Sequence, residues 1–311
     1  MSHSLQPPRR MFGRWRVPPP HLGMPKILPA LQAYGGLQAF ARNRPPAQSL
    51  GRVGPLEVRL AQSAAEVRQA QKLRYRVFYQ EGSAVPNPAR LFARRDIDAY
   101  DAICDHLLVL DHEMRDASGR PQVVGTYRLL RQSIAEDYGG FYTAGEFDVG
   151  PLVARHPDLQ FLELGRSCVL APYRNKRTVE LLWHGIHAYV AQLRCDVLIG
   201  CASLEGTDPD KAALPLSFLH HHARPPEAWH ASALPHRRIE MDRMPKEAIA
   251  AKEALRALPP LLKGYLRLGA FIGDGAVIDR EFGTIDVLVV LPFSVIGKRY
   301  FDHFDLSRRA A

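Results

Sequence analysis

The chain has 311 residues, 46% of them hydrophobic, and a formal net charge of +9, which is long enough to bury a core in one or two domains. No apolar run approaches the roughly 18 to 20 residues needed to cross a bilayer, and the four cysteines show neither a CxxC spacing nor a secretory leader before them. These features exclude membrane-spanning and disulfide-rich classes, and they predict a cytoplasmic globular protein with reduced thiols.

The positive charge is concentrated in residues 1–50. This segment holds seven lysine and arginine residues and no aspartate or glutamate, so it carries +7 of the net charge and leaves +2 for the rest. It is rich in proline and lacks sustained periodicity, which predicts a disordered basic tail. The nearly neutral remainder disfavours a nucleic-acid partner. Apolar residues spaced by three between Leu31 and Phe40 are compatible with peripheral contact with an anionic membrane; a solvated linker is the alternative.

Residues 51–311 have a regular pattern and are predicted to form one domain. Period-two alternation or β-branched apolar runs predict six strands, at residues 56–60, 106–111, 122–130, 161–170, 197–203 and 283–291. The second and third of these should pair as a hairpin. A helix is predicted from Ser63, which forms a capping box with Glu66, to about Gly82. A further helix between the fourth and fifth strands predicts a parallel crossover in an otherwise antiparallel sheet.

A basic cluster of Arg174, Lys176 and Arg177 lies at the predicted start of this second helix. Cations beside a helix N-terminus are locally unfavourable by roughly 0.3 to 1 kcal/mol each. A bound anion would remove that penalty, because the free N–H groups of the first turn favour negative charge. The cluster is therefore a candidate site for the phosphate of a pantetheine arm or of a carrier protein. Basic side chains that merely extend into water are the alternative.

Several motifs resemble known acyltransferases. YRNKRT at 173–178 resembles a degenerate form of the pyrophosphate loop of the GNAT family, with arginine at 177 where glycine is usual. LRYRVF, DIDAYD, GTYRLL and ELGRSCV follow one another as in the acyl-homoserine-lactone synthases, a GNAT-like group that uses acyl carrier proteins. Ser83 departs from those synthases, which have tryptophan there. Residues 258–292 and SFLHHH at 217–222 resemble the ornithine lipid N-acyltransferases.

The resemblance implies an α/β, GNAT-like single domain whose central sheet is twisted, mixed and mainly antiparallel, with flanking helices. It implies transfer of a 3-hydroxyacyl group from acyl carrier protein to the α-amine of ornithine, giving lyso-ornithine lipid. The acyl-phosphopantetheine of the carrier would be a co-substrate, and no tightly bound cofactor is expected. Two alternatives remain: an enzyme like the acyl-homoserine-lactone synthases, and a non-catalytic module that binds anionic lipid or an acidic protein.

Glu163 and Arg166 are the predicted catalytic residues. An amine attacks a thioester only when deprotonated, so Glu163 is the candidate general base; burial would raise its pKa and Arg166 would lower it. Strict alternation places the two side chains on opposite faces. A β-bulge near Gly165 would bring them together and free a backbone N–H for the thioester oxygen. A buried structural ion pair is the alternative.

The predicted substrate-binding residues come from the same motifs: Arg74, Phe78, Asp96, Asp98, Asp101 and Arg128. The first two aspartates share a face of an extended segment, and the third can join them through a turn. Three carboxylates would attract the two amines of ornithine, while either arginine would hold its carboxylate. A solvated acidic loop is the alternative. No metal site is expected, because the acidic spacing is not that of an EF-hand and His220–His222 are adjacent.

Overall fold

The computed structural model describes residues 48–296. Nearly all of the predicted tail, including its apolar spacing, therefore lies outside the described residues, as do residues 297–311. The first described strand begins at Ser49, slightly before the predicted start of the domain.

Nine strands form one open sheet in the described part of the chain: β1 (Ser49–Val53), β2 (Leu56–Leu60), β3 (Asp105–Arg115), β4 (Pro121–Arg131), β5 (Phe161–Val169), β6 (Val197–Glu205), β7 (Arg238–Ile239), β8 (Phe271–Asp279) and β9 (Thr284–Pro292). Their spatial order is β1-β2-β3-β4-β5-β6-β9-β8-β7. Only β5 and β6 are parallel among these described neighbours. The predicted hairpin and the predicted parallel crossover are both confirmed.

Eight α-helices flank the sheet within residues 48–296: α1 (Ala64–Tyr75), α2 (Pro88–Ala93), α3 (Gln132–Tyr138), α4 (Gly150–Arg155), α5 (Lys176–Leu193), α6 (Ala213–His222), α7 (Ala251–Ala257) and α8 (Pro260–Leu268). A π-helical segment, Arg76–Glu81, continues α1, so the helical stretch ends where the sequence predicts. None of the helices described here combines the length and the apolar character that a membrane span requires.

The start of α1 differs slightly from the predicted capping box. Ser63 Oγ accepts the backbone N–H of Glu66 at 3.3 Å, as a helix cap does. The Glu66 carboxylate, however, accepts the N–H of Gln62 at 2.7 Å and pairs with Arg59. The cap therefore also ties α1 to the end of β2.

The position of α5 is fixed by a cap and by a close approach to the sheet. Asn175 Oδ1 accepts the N–H of Thr178 at 3.1 Å, which satisfies a free donor at the helix start. The apolar stripe that includes Leu181 is buried. At Gly185, a Cβ atom would lie 2.5 Å from Val58 Cγ2. Only glycine therefore allows α5 to pack this closely on β2.

The sheet separates two hydrophobic cores. On one face, α1, α5, α6 and α8 pack on strand residues such as Leu198. On the other face, Phe141, Phe147 and Phe161 belong to a smaller core. Alternate residues of a strand point to opposite faces, so the place of a polar residue in the alternation decides which core it borders.

Candidate active site

A β-bulge interrupts β5 where the sequence predicts one. Thr126 of β4 pairs with Cys168, but Arg128 pairs with Gly165, so β5 contains one extra residue. Arg166 lies in the bulge with φ of 51°, a left-handed conformation that costs a non-glycine residue about 1–2 kcal/mol. The bulge turns the Arg166 side chain away from the regular alternation of the strand.

A cleft begins where β5 and β6 separate. The two strands pair at only three positions, the last being Glu163 with Ile199. A Cβ at Gly200 would lie 2.3 Å from the Leu164 carbonyl oxygen, so glycine permits this last close approach. Beyond it, residues from both strands line a cleft of about 620 Å³. Among residues 48–296, the facing backbone edges of β5 and β6 therefore have no strand partner beyond this point, and they border the cleft on both sides.

The two sides of the cleft differ in chemistry, because its lining comes from both faces of the sheet. The acidic side consists of Glu163 and of residues on β6, β8 and β9 whose side chains point to the same face of the sheet. These residues are Cys201, Ser203, Glu205, Thr284, Asp279 and Asp286. The opposite side is apolar with a few hydroxyl groups: Tyr127, Cys168, Ala202, Pro259, Leu261 and Tyr265. A molecule in the cleft therefore contacts carboxylates on one side and an apolar wall on the other.

Glu163 is buried on the acidic side and is held by the segment after α3. Its Oε2 accepts the N–H of Tyr142 at 2.8 Å, and its Oε1 accepts the N–H of Thr143 at 2.6 Å and also the Thr143 hydroxyl. Burial raises the pKa of Glu163, although these hydrogen bonds and Arg128 oppose the rise. Of the four lone pairs of the carboxylate, one on Oε2 remains available.

Glu163 and Arg166 do not form an ion pair within residues 48–296, so the alternative of a buried pair between them is wrong. Within the described residues, the ion pairs of Arg166 are with Asp96, at 3.3 Å, and Asp98, at 3.1 Å. The predicted bulge is present, but it directs Arg166 to these aspartates, while the hydrogen bonds from residues 142 and 143 hold Glu163. Arg128 is a charged neighbour that lowers the pKa of Glu163.

Three arginines and three aspartates form a closed ring of alternating charge, which we call the arginine–aspartate ring. Its ion pairs have N···O distances between 2.6 and 3.4 Å. In order around the ring they are Arg74, Asp96, Arg166, Asp98, Arg128 and Asp101. Burial opposes ionisation of Asp98 and Asp101, but the arginines outweigh it and hold the pKa of each below its usual range. The ring as a whole is neutral.

The ring gives the predicted substrate-binding residues a different setting from the one expected. Each aspartate already contacts at least two guanidinium groups, and Asp96 also has Arg90 at 3.8 Å, so these carboxylates are not free to attract an amine. Arg74 is completely buried and does not line the cleft. Arg128 and Arg166 do line it. The sequence therefore identified a set of residues that come together, but it assigned them a binding role that their pairing does not favour.

Aromatic rings enclose the guanidinium of Arg166 beside the cleft. Its Cζ lies 4.6 Å from the ring centre of Phe282, 4.9 Å from that of Tyr142 and 6.0 Å from that of Phe78. Phe78, on the π-helical segment, contacts Phe282 edge to face at 5.2 Å and lines the cleft as expected of a substrate contact. These contacts fix the position of Arg166 despite its unfavourable backbone conformation.

The predicted basic cluster does not converge on one anion site. Arg174 lines the cleft and pairs with Glu81. Lys176 is exposed and pairs with Glu180 along the helix at 3.6 Å. Arg177 donates to the carbonyl oxygen of Val53 at 2.6 Å, in the β1–β2 turn. Only Arg174 of the three is therefore in position to contact a ligand in the cleft.

Sequence reasoning missed the carboxylates of the acidic side. Asp279 and Asp286 are buried at the cleft, and neither has a basic nitrogen within 4 Å in residues 48–296. Burial raises the pKa of Asp286. Glu146, behind Cys201, has a pKa raised to about 7 by burial and by Asp286, although Arg237 opposes the rise. In the sequence, Asp286 is a single acidic residue at the start of the apolar run DVLVVL. An isolated acid of this kind also indicated Glu163, so the same signal was available for Asp286.

Two groups of side chains approach metal-ligand spacing in the described residues. In the first, His220, His221 and Asp242 offer atoms within 4.8 Å of one another, but His221 already contacts Asp242 at 3.0 Å and the Met244 carbonyl at 3.3 Å. The second consists of Glu146, Cys201 and Asp286. Here Cys201 Sγ contacts Glu146 Oε2 at 3.3 Å, and burial raises the pKa of the thiol.

Comparisons with known proteins identify the family. Residues 73–184 match the model of an acetyltransferase (GNAT) domain. The chain is 55% identical over 260 residues to the L-ornithine N(alpha)-acyltransferase of Rhizobium meliloti (strain 1021), covering 84% of this chain and 88% of the relative. It is 52% identical over 267 residues to the protein of that name from Brucella abortus (strain 2308), covering 86% and 95%.

Solved structures show a weaker likeness. An N-acyl amino acid synthase from uncultured soil microbes is 9% identical, with a TM-score of 0.42, covering 77% of this chain and 91% of that one. A CoA-dependent acyl-homoserine lactone synthase, MesI, is 13% identical, also with a TM-score of 0.42, covering 81% and 94%. Likeness at this level does not contribute to the assignment, which rests on the sequence relatives.

The domain match confirms the predicted GNAT-like fold, and the strand order establishes one open, mixed sheet. The relatives confirm the predicted class of enzyme, an acyltransferase. On these identities and coverages, the chain belongs to the family of L-ornithine N(alpha)-acyltransferases.

Proposed function

We propose that the protein transfers a 3-hydroxyacyl group from acyl carrier protein to the α-amine of L-ornithine, forming lyso-ornithine lipid. The names of the relatives support ornithine as the acceptor. One observation carries the proposal: one side of the cleft between β5 and β6 has carboxylates with no basic partner among residues 48–296, and the other side is an apolar wall. A dicationic acceptor and an acyl donor fit these two sides.

The acidic side is suited to the acceptor. Ornithine carries two amines and one carboxylate. Asp279 and Asp286 lie at the cleft without a basic partner in the described residues, so they are available to the side-chain ammonium. Arg166 borders the same space, but Asp96 and Asp98 already neutralise its charge, so the acidic side accounts for the ammonium groups of the acceptor only. This assignment replaces the one made from the sequence, because the aspartates of the arginine–aspartate ring are already neutralised.

Glu163 is suited to the role of general base. It lines the cleft, its pKa is raised, and one lone pair of Oε2 is free to accept a proton directly or through water. The proton leaves the α-ammonium for Glu163. The amine nitrogen then attacks the thioester carbonyl carbon, the C–N bond of the amide forms and the C–S bond breaks. The nitrogen loses a second proton in this step, which balances the proton taken up by the departing thiolate, so the products are an amide and a thiol.

The β-bulge supplies the means to stabilise the oxygen. Negative charge develops on the carbonyl oxygen as the amine attacks, and backbone N–H groups that point at that oxygen stabilise it. The extra residue in β5 leaves backbone around Arg166 and Ser167 outside the regular ladder with β4. This unpaired backbone borders the cleft, next to the base.

The end of the cleft near Arg174 is suited to the donor arm. The unpaired edges of β5 and β6 there offer hydrogen-bonding groups to an extended pantetheine, and Arg174 is the basic side chain of the cluster that borders the cleft. Arg177, at the place of the usual loop glycine, is occupied with Val53. A single phosphate is thus easier to accommodate than a pyrophosphate, which favours a carrier protein over free coenzyme A as the donor.

The apolar side of the cleft carries the hydroxyl of Tyr127, which is suited to bind the hydroxyl group of a 3-hydroxyacyl chain. Tyr127 is 3% exposed and lines the cleft opposite the bulge. Its hydroxyl makes no hydrogen bond of normal length within residues 48–296, and the hydroxyls of Ser167 and Tyr265 are its polar neighbours. The hydroxyl-bearing carbon of a 3-hydroxyacyl group is next but one to the carbonyl carbon, so a group that binds it must lie close to the bulge.

Mass spectrometry of the products tests the proposal. The purified full chain would be incubated with a 3-hydroxyacyl carrier protein and a panel containing ornithine, lysine, arginine, norvaline and S-adenosylmethionine. We expect acylated ornithine as the main product. Equal yields across the panel would contradict the assigned acceptor, and an acyl-homoserine lactone product would favour the other enzyme class.

A further inference from the structure

The main cluster of exposed apolar side chains in residues 48–296 lies beside the cleft. The proposed chemistry does not use it. Four of the eight exposed large apolar side chains in residues 48–296 fall in one segment. They are Val85, Leu91, Phe92 and Ile97, which we call the Phe92 surface. Phe92 is 94% exposed and Leu91 58%. Such clustering of exposed apolar groups marks an interaction site rather than the usual scatter of single residues.

The Phe92 surface is held together by one arginine. Arg90 Nε donates to the carbonyl oxygen of Ile97 at 3.3 Å, and the same side chain pairs with Glu281. The carbonyl oxygen of Glu281 accepts the N–H of Val85 at 2.9 Å. The loop before α2, the helix itself and the segment after it as far as Ile97 are therefore connected by these contacts.

Basic charge borders this surface. Arg94 ends α2 with φ of 47°, is exposed, and has no acidic group within 4 Å among residues 48–296. A cation near an anionic bilayer contributes about 1 kcal/mol. Residues 51–311 carry a net charge of +2, so the attraction at this surface comes from local positive charge rather than from the field of the whole domain. Apolar side chains with adjoining unpaired positive charge suit a layer of anionic headgroups above hydrocarbon.

The surface is also next to the cleft. Gly82, Ser83 and Ala84, immediately before Val85, line the cleft, as does Phe282, which follows Glu281. The product of the proposed reaction is an amphiphile with a long chain that has low solubility in water. An exit that faces a bilayer lets this chain transfer without crossing water.

We propose that the Phe92 surface inserts into the interface of an anionic bilayer and directs the end of the cleft near Ser83 toward it. The inference rests on the proposed function only through the nature of the product. An acidic carrier protein is the other partner that such a surface could receive, and the experiment distinguishes the two. Membrane contact here is separate from any contact made by residues 1–50.

Insertion is tested with the full chain and no substrate. Phe92→Trp would be mixed with phosphatidylcholine vesicles containing phosphatidylglycerol and brominated lipid, which quenches tryptophan buried among the chains. Met114→Trp is the matched control, because Met114 is 49% exposed but lies on β3, away from this surface. We expect quenching beyond the wild-type background for position 92 and none for position 114. Equal quenching of both variants and wild type would overturn the proposal.

A second variant measures the contribution to binding. We expect Phe92→Asp to bind the same vesicles at least about tenfold more weakly than Met114→Asp, because a large apolar side chain loses its burial. Unchanged vesicle binding with a raised KM for acyl carrier protein would overturn the proposal in favour of a protein-docking surface. Binding is measured without turnover, so a chain that inserts normally but makes no acylated ornithine would contradict the proposed function alone.

Discussion

The arginine–aspartate ring and the acidic side of the cleft are two groups of buried charge that differ in pairing. In the ring, three cations neutralise three anions, and the pKa values of Asp98 and Asp101 are lowered. On the acidic side, Glu163 and Asp286 have raised pKa values, as burial dominates and basic partners are few. The comparison teaches that carboxylates whose charges are satisfied within the fold maintain its shape, whereas those left short of partners are available to a substrate.

Breaking the ring gives the largest expected effect. Arg74→Met leaves two buried carboxylates short of a partner, and we expect a loss of about 3–5 kcal/mol in the free energy of unfolding, measured by urea denaturation. Lys176→Met removes an exposed pair on α5 and should cost under about 1 kcal/mol. Equal losses in the two variants would mean that the ring is not a structural unit.

Removing the base affects rate rather than stability. Glu163→Gln keeps the shape of the side chain but cannot take the proton, so we expect kcat to fall by about 10²–10³-fold while the fold is retained. The raised pKa also predicts that kcat/KM of the wild type rises with pH through an apparent pKa above 4.5. Near-normal turnover in a folded Glu163→Gln protein would assign the proton to another group.

The raised pKa of Glu146 makes stability depend on pH. Because its pKa rises from 4.5 to about 7 on folding, the folded protein binds this proton more tightly than the unfolded chain does. Glu146 therefore lowers the free energy of unfolding as the pH rises from about 5 to 7. Glu146→Gln should gain stability relative to wild type over that range, by at most about 3 kcal/mol.

Urea unfolding at pH 5 and pH 8 measures this difference. Glu247→Gln, at an exposed position, is the control and should show the same offset from wild type at both pH values. A pH-independent offset for Glu146→Gln would mean that its carboxylate titrates normally in the folded protein.

The hydroxyl on the apolar side gives the smallest expected effect. Burial raises the pKa of Tyr127, so its hydroxyl keeps its proton and can donate. Tyr127→Phe should lower kcat/KM for a 3-hydroxyacyl donor by about tenfold at most, since one neutral hydrogen bond contributes about 0.5–1.5 kcal/mol. The unsubstituted acyl donor is the control and should be affected less. An equal loss with both donors would indicate a packing role only.

Most of the sheet could be predicted from the sequence, because apolar alternation survives in its central strands. The prediction missed three of the nine strands: β1, which lies at the boundary with the predicted tail, β8, whose alternation is interrupted by Gly273 and Gly275, and β7, which has only two residues. The crossover and hairpin followed from the order of the elements and from a turn sequence. These features depend on local pattern, which a single sequence contains.

The sequence predicted which residues come together at the site, but it did not predict which of their charges pair with one another. The motifs brought Glu163, Arg128 and the three aspartates together, yet the partner of each charge depends on backbone geometry. Arg166 reaches its aspartates only because the bulge gives it a positive φ. Asp286 becomes a neighbour of the site through a strand pairing with Ser203, 83 residues earlier in sequence. Such long-range pairings leave no periodic signal in the sequence.

The claim that carboxylates without a basic partner in residues 48–296 bind the acceptor is tested most directly by the selectivity between ornithine and norvaline. Norvaline has the same carbon chain but lacks the side-chain amine. We expect the wild type to have a much lower KM for ornithine, and Asp286→Asn to lose most of this preference, about tenfold for one charge-assisted contact, without loss of stability. If a folded Asp286→Asn protein kept the full preference, the acidic side would not be the acceptor site.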